Sequence, residues 1–407
     1  MKHNLCIRLK SEIAKSNIVT KLKVKLLAFQ GAPDAVFNKA VNRIEKLIPA
    51  DKFILTESDP DILFFLSGGS ELNAIRQVSE GHFYILIGSQ HDNAYASATE
   101  VKAYLNDRNI PSILLDEEEA ETSTILNKFF TVNGALKSLH GKRLGQIGQV
   151  SDWLISSSIP AELLDSKFGI KLHVLPWNEL AHFTEFSASA PFLDSFAGST
   201  NLDLTETAKV NQMLTDTIQK WNLDAITVEC FPMVQKDCVT ACLPLARFNN
   251  TGIPAGCEGD HTAIAAMMLC KELTGIIPWI ANINKVTDEV CMFSHCTIAP
   301  GLVSDFSVKT HFETGKGTAI EGKFKGDLVT IFRFDNKLSK AFIATANIIG
   351  RPKSTTACRT QIEVKLTNAE VKLLRESPLG NHHLIYPGDC KELLYLACQL
   401  VGIEVLK

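Results

Sequence analysis

With 407 residues, 45% of them hydrophobic and 21% charged, the chain is a globular polypeptide long enough for two or three domains. A formal net charge of −4, from Lys+Arg 41 against Asp+Glu 45, offers no basic excess for a nucleic-acid partner. The 11 cysteines, an odd number scattered through apolar surroundings, argue for buried free thiols and against a disulfide framework.

The opening segment, MKHNLCIRLKSEIAKSNIVTKLKVKLLAF, interleaves charges with apolar residues. It has neither a signal-peptide apolar core nor the ~18 uninterrupted apolar residues of a membrane span, so a cytoplasmic protein without a membrane partner is expected. From Lys23 to about Glu117, the apolar runs VKLLAF, DILFFLS, FYILIG and PSILLD alternate with stretches of helical period such as NAYASATEVKAYLNDRN. That alternation predicts βαβ units around a parallel sheet, an N-terminal α/β domain over residues 1–125. A second set follows in RLGQIGQ, a helical segment near Pro160–Phe168 and IKLHVLP, and predicts another doubly wound α/β domain over 126–300. GQIGQVSDWL has the start of a nucleotide-binding turn but not the full G-x-G-x-x-G. It reads as a tight strand-to-helix turn, which ranks a nicotinamide dehydrogenase low.

LDAITVEC reads as a buried strand, and KDCVTACLPLARFNN as a helix bent at Pro244 that carries Cys238 and Cys242. No second cysteine pair stands at zinc-finger spacing from them. In GDHTAIAAMMLCKELTG, Asp260 can cap a helix and Gly275 can stop it. After Pro300 the texture becomes strand-like (FSVKTHFETG, DLVTIFRFDNKLSKAFIATANII, RTQIEVKL), which predicts an antiparallel sheet or small β-barrel. With a closing amphipathic helix, it makes a C-terminal domain over 301–407.

Ligands in open α/β sheets bind outside the carboxyl ends of the strands, and Glu229 stands at such an end. Asp260 occupies the next comparable place, between a Gly-rich turn and a helix. Two acids at successive strand ends can converge on one divalent ion, and oxygen ligands suit Mn²⁺ or Mg²⁺. A helix cap and a terminal ion pair account for the same residues without any metal. Glu258 reads as a turn residue facing solvent, and His295, in MFSHCTIAP, as a hydrogen-bonded residue at a strand end. His382 and His383 are neighbours in an extended segment and must point to opposite faces, so at most one of them enters a given site.

TVECFP, PAGCEGDHTAIAAMML, HCTIAP, CRTQ and HHLIYPGDCKELLYLACQLVGIEV resemble the C-terminal half of the L-fucose isomerase and L-arabinose isomerase superfamily. ILIGSQHDNAYASATEVKAYL resembles its N-terminal half. The resemblance implies two N-terminal α/β domains followed by a domain containing an antiparallel β-barrel, assembled as a homo-oligomer, a trimer or hexamer. It also implies a Mn²⁺ or other divalent-cation site made by Glu229, Asp260 and one of the two histidines, with His383 preferred. Glu229 and Asp260 would then also move protons, while His295, His382 and Glu258 would meet sugar hydroxyls. The implied activity is aldose–ketose isomerisation of a small sugar through an enediolate. The alternatives are a non-catalytic sugar-binding or sensing protein of the same fold, or a metal-dependent epimerase or lyase.

Overall fold

A computed structural model describes residues 21–407, so most of the charged opening segment lies outside the described residues. The chain divides into two compact units, one ending at Lys137 and the other running from Ser138 to Lys407.

The first unit is built on five parallel strands: β1 (Leu22–Leu27), β2 (Phe53–Leu55), β3 (Ile62–Phe65), β4 (Tyr84–Gly88) and β5 (Ser112–Asp116). Their order, β2-β1-β3-β4-β5, reverses direction beside β1, as a doubly wound sheet does. The central strands β3 and β4 are buried at every position, the continuous apolar run of a strand covered on both faces. Helix Ala94–Asp107 presents Ala94, Ala98, Val101 and Leu105 to Leu63, Tyr84 and Leu86, a stripe of helical period against a sheet.

The second unit has its own parallel sheet: β6 (Arg143–Ile147), β7 (Lys171–Leu175), β8 (Ala225–Val228) and β9 (Ala255–Cys257), ordered β7-β6-β8-β9. The stretch predicted as one helix bent at Pro244 is two helices, Phe231–Asp237 and Cys242–Asn250. Cys238 ends the first in the left-handed conformation at φ 60°, and Pro244 sits in the first turn of the second, where a missing N–H costs nothing. Cys238 is exposed, while every other free cysteine among the described residues is buried.

Beyond β9, helix His261–Thr274 begins at its Asp260 cap and stops at Gly275, in the left-handed conformation at φ 75°. Residues 261–270 of this helix are buried on every side. One flank packs on β8 and β9. The other packs on the barrel strands β14 (Leu328–Phe334) and β17 (His382–Pro387).

The remaining strands are β10 (Trp279–Val286), β11 (Val290–His295), β12 (Val303–Lys309), β13 (Ala319–Phe324), β15 (Lys340–Gly350), β16 (Thr360–Lys365) and β18 (Glu404–Val405). Four of them, β10, β11, β15 and β16, join β14 and β17 in a six-stranded antiparallel barrel in the order β14-β17-β10-β11-β16-β15, sealed by the β14–β15 pairing. Strands β12 and β13 form a separate ribbon, and β18 adds to β15 in parallel. The barrel therefore takes β10 and β11 from the stretch that the sequence reading placed in residues 126–300. Its interior is filled by alternate residues, among them Ala281, Cys291, Phe293, Ile331, Phe342, Ala344, Ile362 and Ile385. That is the period-2 packing of a small closed barrel.

Candidate active site

Strand β9 ends at Cys257, and the chain turns through Glu258 at φ 62° and Gly259 at φ 70° before Asp260 caps the buried helix. A Cβ on Gly259 would lie 2.2 Å from the carbonyl oxygen of Gln149, so only glycine lets the loop after β6 pass over the turn. The loop is fastened there, with Ser151 N–H donating to the Glu258 carbonyl at 3.0 Å and His261 N–H donating to the Ser157 carbonyl at 3.0 Å. It carries Trp153 over the turn, where the indole N–H donates to Glu258 Oε2 at 2.6 Å. Glu258 is thus enclosed, its side chain 13% exposed, and not the solvent-facing turn residue that its sequence setting suggested.

Two imidazoles face the other oxygen of the same carboxylate. His295 Nε2 lies 3.8 Å and His382 Nε2 3.9 Å from Glu258 Oε1, with the two rings edge to face at 5.3 Å between centroids. Both rings are oriented from behind through Nδ1, His295 by Thr297 Oγ1 at 2.9 Å and His382 by Asp260 Oδ2 at 2.9 Å. The separations to Glu258 exceed a hydrogen bond, and His382 Nε2 is buried without any hydrogen-bond partner. A buried imidazole fixed through one nitrogen, with the other bare and aimed at a carboxylate, is the donor arrangement of a divalent-cation site. Cys257 Sγ belongs to the same cluster as Glu258 and His295; without a metal, its contact with Cys230, at 3.6 Å, and its burial push its pKa well up. The nitrogen and oxygen donors of the cluster suit a metal such as Mn²⁺.

The electrostatics are those of a coupled cluster. Burial alone would raise the Glu258 pKa, but the charge of His382, the facing His295 and the Trp153 N–H hold it down to about 2. Burial likewise opposes charge on His382, yet Glu258 and Asp260 together raise its pKa above the ordinary value. His295 is shifted down, because burial outweighs its attraction to Glu258.

The resemblance implied a metal held by Glu229, Asp260 and one of the two histidines, His383 preferred. In the structure the histidine beside Asp260 is His382. Asp260 is fully buried; its Oδ1 accepts from Thr262 Oγ1 at 2.6 Å and Ala263 N–H at 2.8 Å, and its Oδ2 faces His382 and the Arg333 guanidinium, 3.8 Å away. His383 shares the inward parity of Ile385 and sits in the barrel between the rings of Phe293 and Phe342, each 5.8 Å away by centroid. Burial pushes its pKa down to about 3, so it is a neutral core histidine with Nδ1 on the Asn381 carbonyl at 2.9 Å; its Nε2, like that of His382, is buried without a partner but lies among these rings and not at a carboxylate.

Glu229 follows β8, whose Val228 pairs with Cys257, so the register sets Glu229 and Glu258 at the ends of neighbouring strands. Its Oε2 accepts from Gln149 N–H at 2.8 Å. Gly148 gives it room: a Cβ there would lie 2.4 Å from that oxygen.

The sequence reading did not single out Trp153, Arg333, Asn282, Asn381 or Glu313. Arg333, on β14, is buried, and besides facing Asp260 it donates to the His382 carbonyl and to Ser157 Oγ. Trp153, Phe231, Glu258, Asn282, Glu313 and Asn381 line a cavity of about 300 Å³ that gives access to the cluster at Glu258. Only the strand-like alternation around Arg333 and the exposed aromatic in SDWL hinted at any of these.

No family model matches the chain. Sulfoquinovose isomerases of Priestia aryabhattai and Priestia megaterium are each 24% identical to it over 310 residues, 71% of this chain and 69% of the relative. A sulfoquinovose isomerase of a Clostridium species is 23% identical over 341 residues, 76% of this chain and 74% of the relative. The chain is therefore similar, along most of its length, to enzymes named for the isomerisation of a sugar.

Proposed function

We propose that the chain is an aldose–ketose sugar isomerase that uses a divalent cation, Mn²⁺ in the first instance, held by Glu258, His295 and His382. The relatives support a sugar isomerase. The observation that carries the metal is the bare, buried Nε2 of His382, aimed with that of His295 at one carboxylate oxygen.

Such an ion, held by Glu258, His295 and His382, would supply Lewis acidity that favours loss of a proton from the carbon beside a carbonyl. The chain's own residues do the rest. Glu229, at the neighbouring strand end, is the carboxylate placed to take a proton from one carbon and return it to the next, a transfer typically worth ~10²–10⁴-fold. Asp260 holds His382 in the tautomer that leaves Nε2 bare. Trp153 keeps the Glu258 carboxylate turned inward, and its exposed indole with Phe231 makes an apolar wall for the C–H face of a sugar. The same reading carries a homo-oligomer, trimeric or hexameric, which sedimentation velocity tests.

The test is conversion by metal-stripped protein, with and without Mn²⁺, of a panel of aldoses and ketoses including fucose, arabinose and sulfoquinovose, followed by NMR. Mn²⁺-dependent appearance of ketose is the expected result. A product epimeric at one carbon without ketose, or saturable sugar binding with no turnover, would replace the isomerase reading by an epimerase or a sugar sensor.

A further inference from the structure

The relatives are named for sulfoquinovose, a glucose-configured sugar whose C6 carries a sulfonate that stays ionised at any working pH. The entrance of the present site is built on different chemistry. Among the described residues lining the cavity there is no Lys or Arg, and its rim carries Glu313 in addition to Glu258 beneath it.

Glu313 sits in a fastened turn between β12 and β13. Lys316 carbonyl accepts from His311 N–H at 3.0 Å, His311 carbonyl accepts from Gly315 N–H at 3.0 Å, and His311 Nε2 lies 4.0 Å from Glu313 Oε2. Arg359 anchors one end of the turn by donating to the Thr310 carbonyl at 2.7 Å and to its hydroxyl at 3.0 Å. Thr318 N–H donates to Thr240 Oγ1 at 2.9 Å and anchors the other end. The backbone that carries Glu313 is therefore fastened, and its side chain stands half exposed at the rim. Across from it, Asn381 donates to Asn282 Oδ1 at 2.6 Å, so the two amides form one polar patch. A carboxylate, a carboxamide pair and an exposed indole match hydroxyl groups, which both donate and accept, and the C–H face of a pyranose.

We propose that Glu313 makes this site select uncharged aldoses and reject sugars bearing a sulfonate or phosphate. The inference rests on the isomerase reading of the same site. An anion brought to this rim loses its water beside a like charge and meets no Lys or Arg among the described lining residues, and a repulsive element of this kind discriminates between otherwise similar ligands.

Quinovose and sulfoquinovose differ only at C6, a methyl group against a methylene sulfonate, and so isolate the charge. Binding of each to the Mn²⁺-loaded protein is measured by isothermal titration calorimetry, and turnover by NMR, for the wild type, Glu313→Gln and Glu313→Lys. The wild type is expected to favour quinovose at least tenfold in Kd and in kcat/KM. Glu313→Gln narrows that ratio and Glu313→Lys narrows it further, through KM more than through kcat. Equal or tighter use of sulfoquinovose by the wild type, an unchanged ratio in both variants, or saturable binding of neither sugar overturns the inference. Selective binding of quinovose without conversion would uphold it and sink the isomerase reading instead; selective conversion of sulfoquinovose would do the reverse.

Discussion

Asp260 Oδ2 and His382 Nδ1 lie 2.9 Å apart with both side chains fully buried, and this one contact joins the helix cap to the first residue of β17. Removing the charge while keeping the shape, as in Asp260→Asn, lets the amide nitrogen face the ring and unsettles which imidazole nitrogen carries the proton. Loss of such a rear partner typically weakens metal binding ~10–100-fold. Calorimetric titration with Mn²⁺ is expected to show a weakening of that size, and excess Mn²⁺ is expected to restore part of kcat. Unchanged Mn²⁺ affinity would reduce Asp260 to a helix cap.

Two adjacent histidines give a cleaner separation. His382→Ala removes a proposed ligand and is expected to lower Mn²⁺ affinity by at least a hundredfold. His383→Leu replaces a neutral residue enclosed by Phe293 and Phe342 with an apolar one, and is expected to leave Mn²⁺ affinity within about threefold. The reverse ranking would restore His383 as the ligand and move the site into the barrel.

Why the sequence could not tell the two histidines apart is a matter of register. In His382–Pro387 the residues on both faces are apolar, Leu384 on one and Ile385 on the other, because one face fills the barrel and the other meets the buried helix. A strand buried on both sides carries no alternation from which to tell inside from outside. Asp260 and Gly275 were legible as cap and stop because capping is local chemistry, settled within a few residues. The mixed architecture, with parallel sheets and an antiparallel barrel, was legible from the change in texture along the chain. The membership of β10 and β11 in the barrel was not, since the pairing of β10 with β17 joins residues about a hundred positions apart. Glu258 misled for a similar reason: its left-handed turn is a surface signal, and its burial comes from Trp153, which a separate loop delivers.

Glu229 is assigned proton transfer and not metal binding, and the two roles separate experimentally. Glu229→Gln preserves an oxygen acceptor for Gln149 N–H and abolishes the base. We expect kcat to fall ~10²–10⁴-fold, with Mn²⁺ affinity within a few-fold of wild type and an unchanged far-UV circular dichroism spectrum. A loss of metal binding equal to that of His382→Ala would place Glu229 among the ligands.

Arg333 and Asp260 face each other at 3.8 Å with side-chain exposures of 1% and 0%, so neither charge has water to fall back on. Arg333→Met leaves Asp260 and the Ser157 hydroxyl without that partner. Breaking a buried pair from one side typically costs about 3–5 kcal/mol. The urea midpoint should fall accordingly, and the double variant Arg333→Met with Asp260→Asn should recover part of the loss, because no lone buried charge then remains. A single variant as stable as the wild type would show that the guanidinium is not what balances Asp260.

His311 provides the pH dependence of stability. Burial first, and the nearby His295 second, push its pKa down from 6.5 to about 4, so the folded protein keeps the ring neutral where the unfolded chain would protonate it. The sign follows: the unfolded state binds more protons as pH falls through 6.5, and stability is lost progressively until about pH 4, where the folded ring also protonates. Within that window the slope attributable to one such group is at most about 1.4 kcal/mol per pH unit. Urea unfolding at pH 7, 6 and 5 is expected to show a shallower loss for His311→Gln than for the wild type, the two curves converging toward acid. Parallel curves over that range would mean that His311 is charged or solvated in the folded protein, and that other buried groups, such as His261, govern the acid limb.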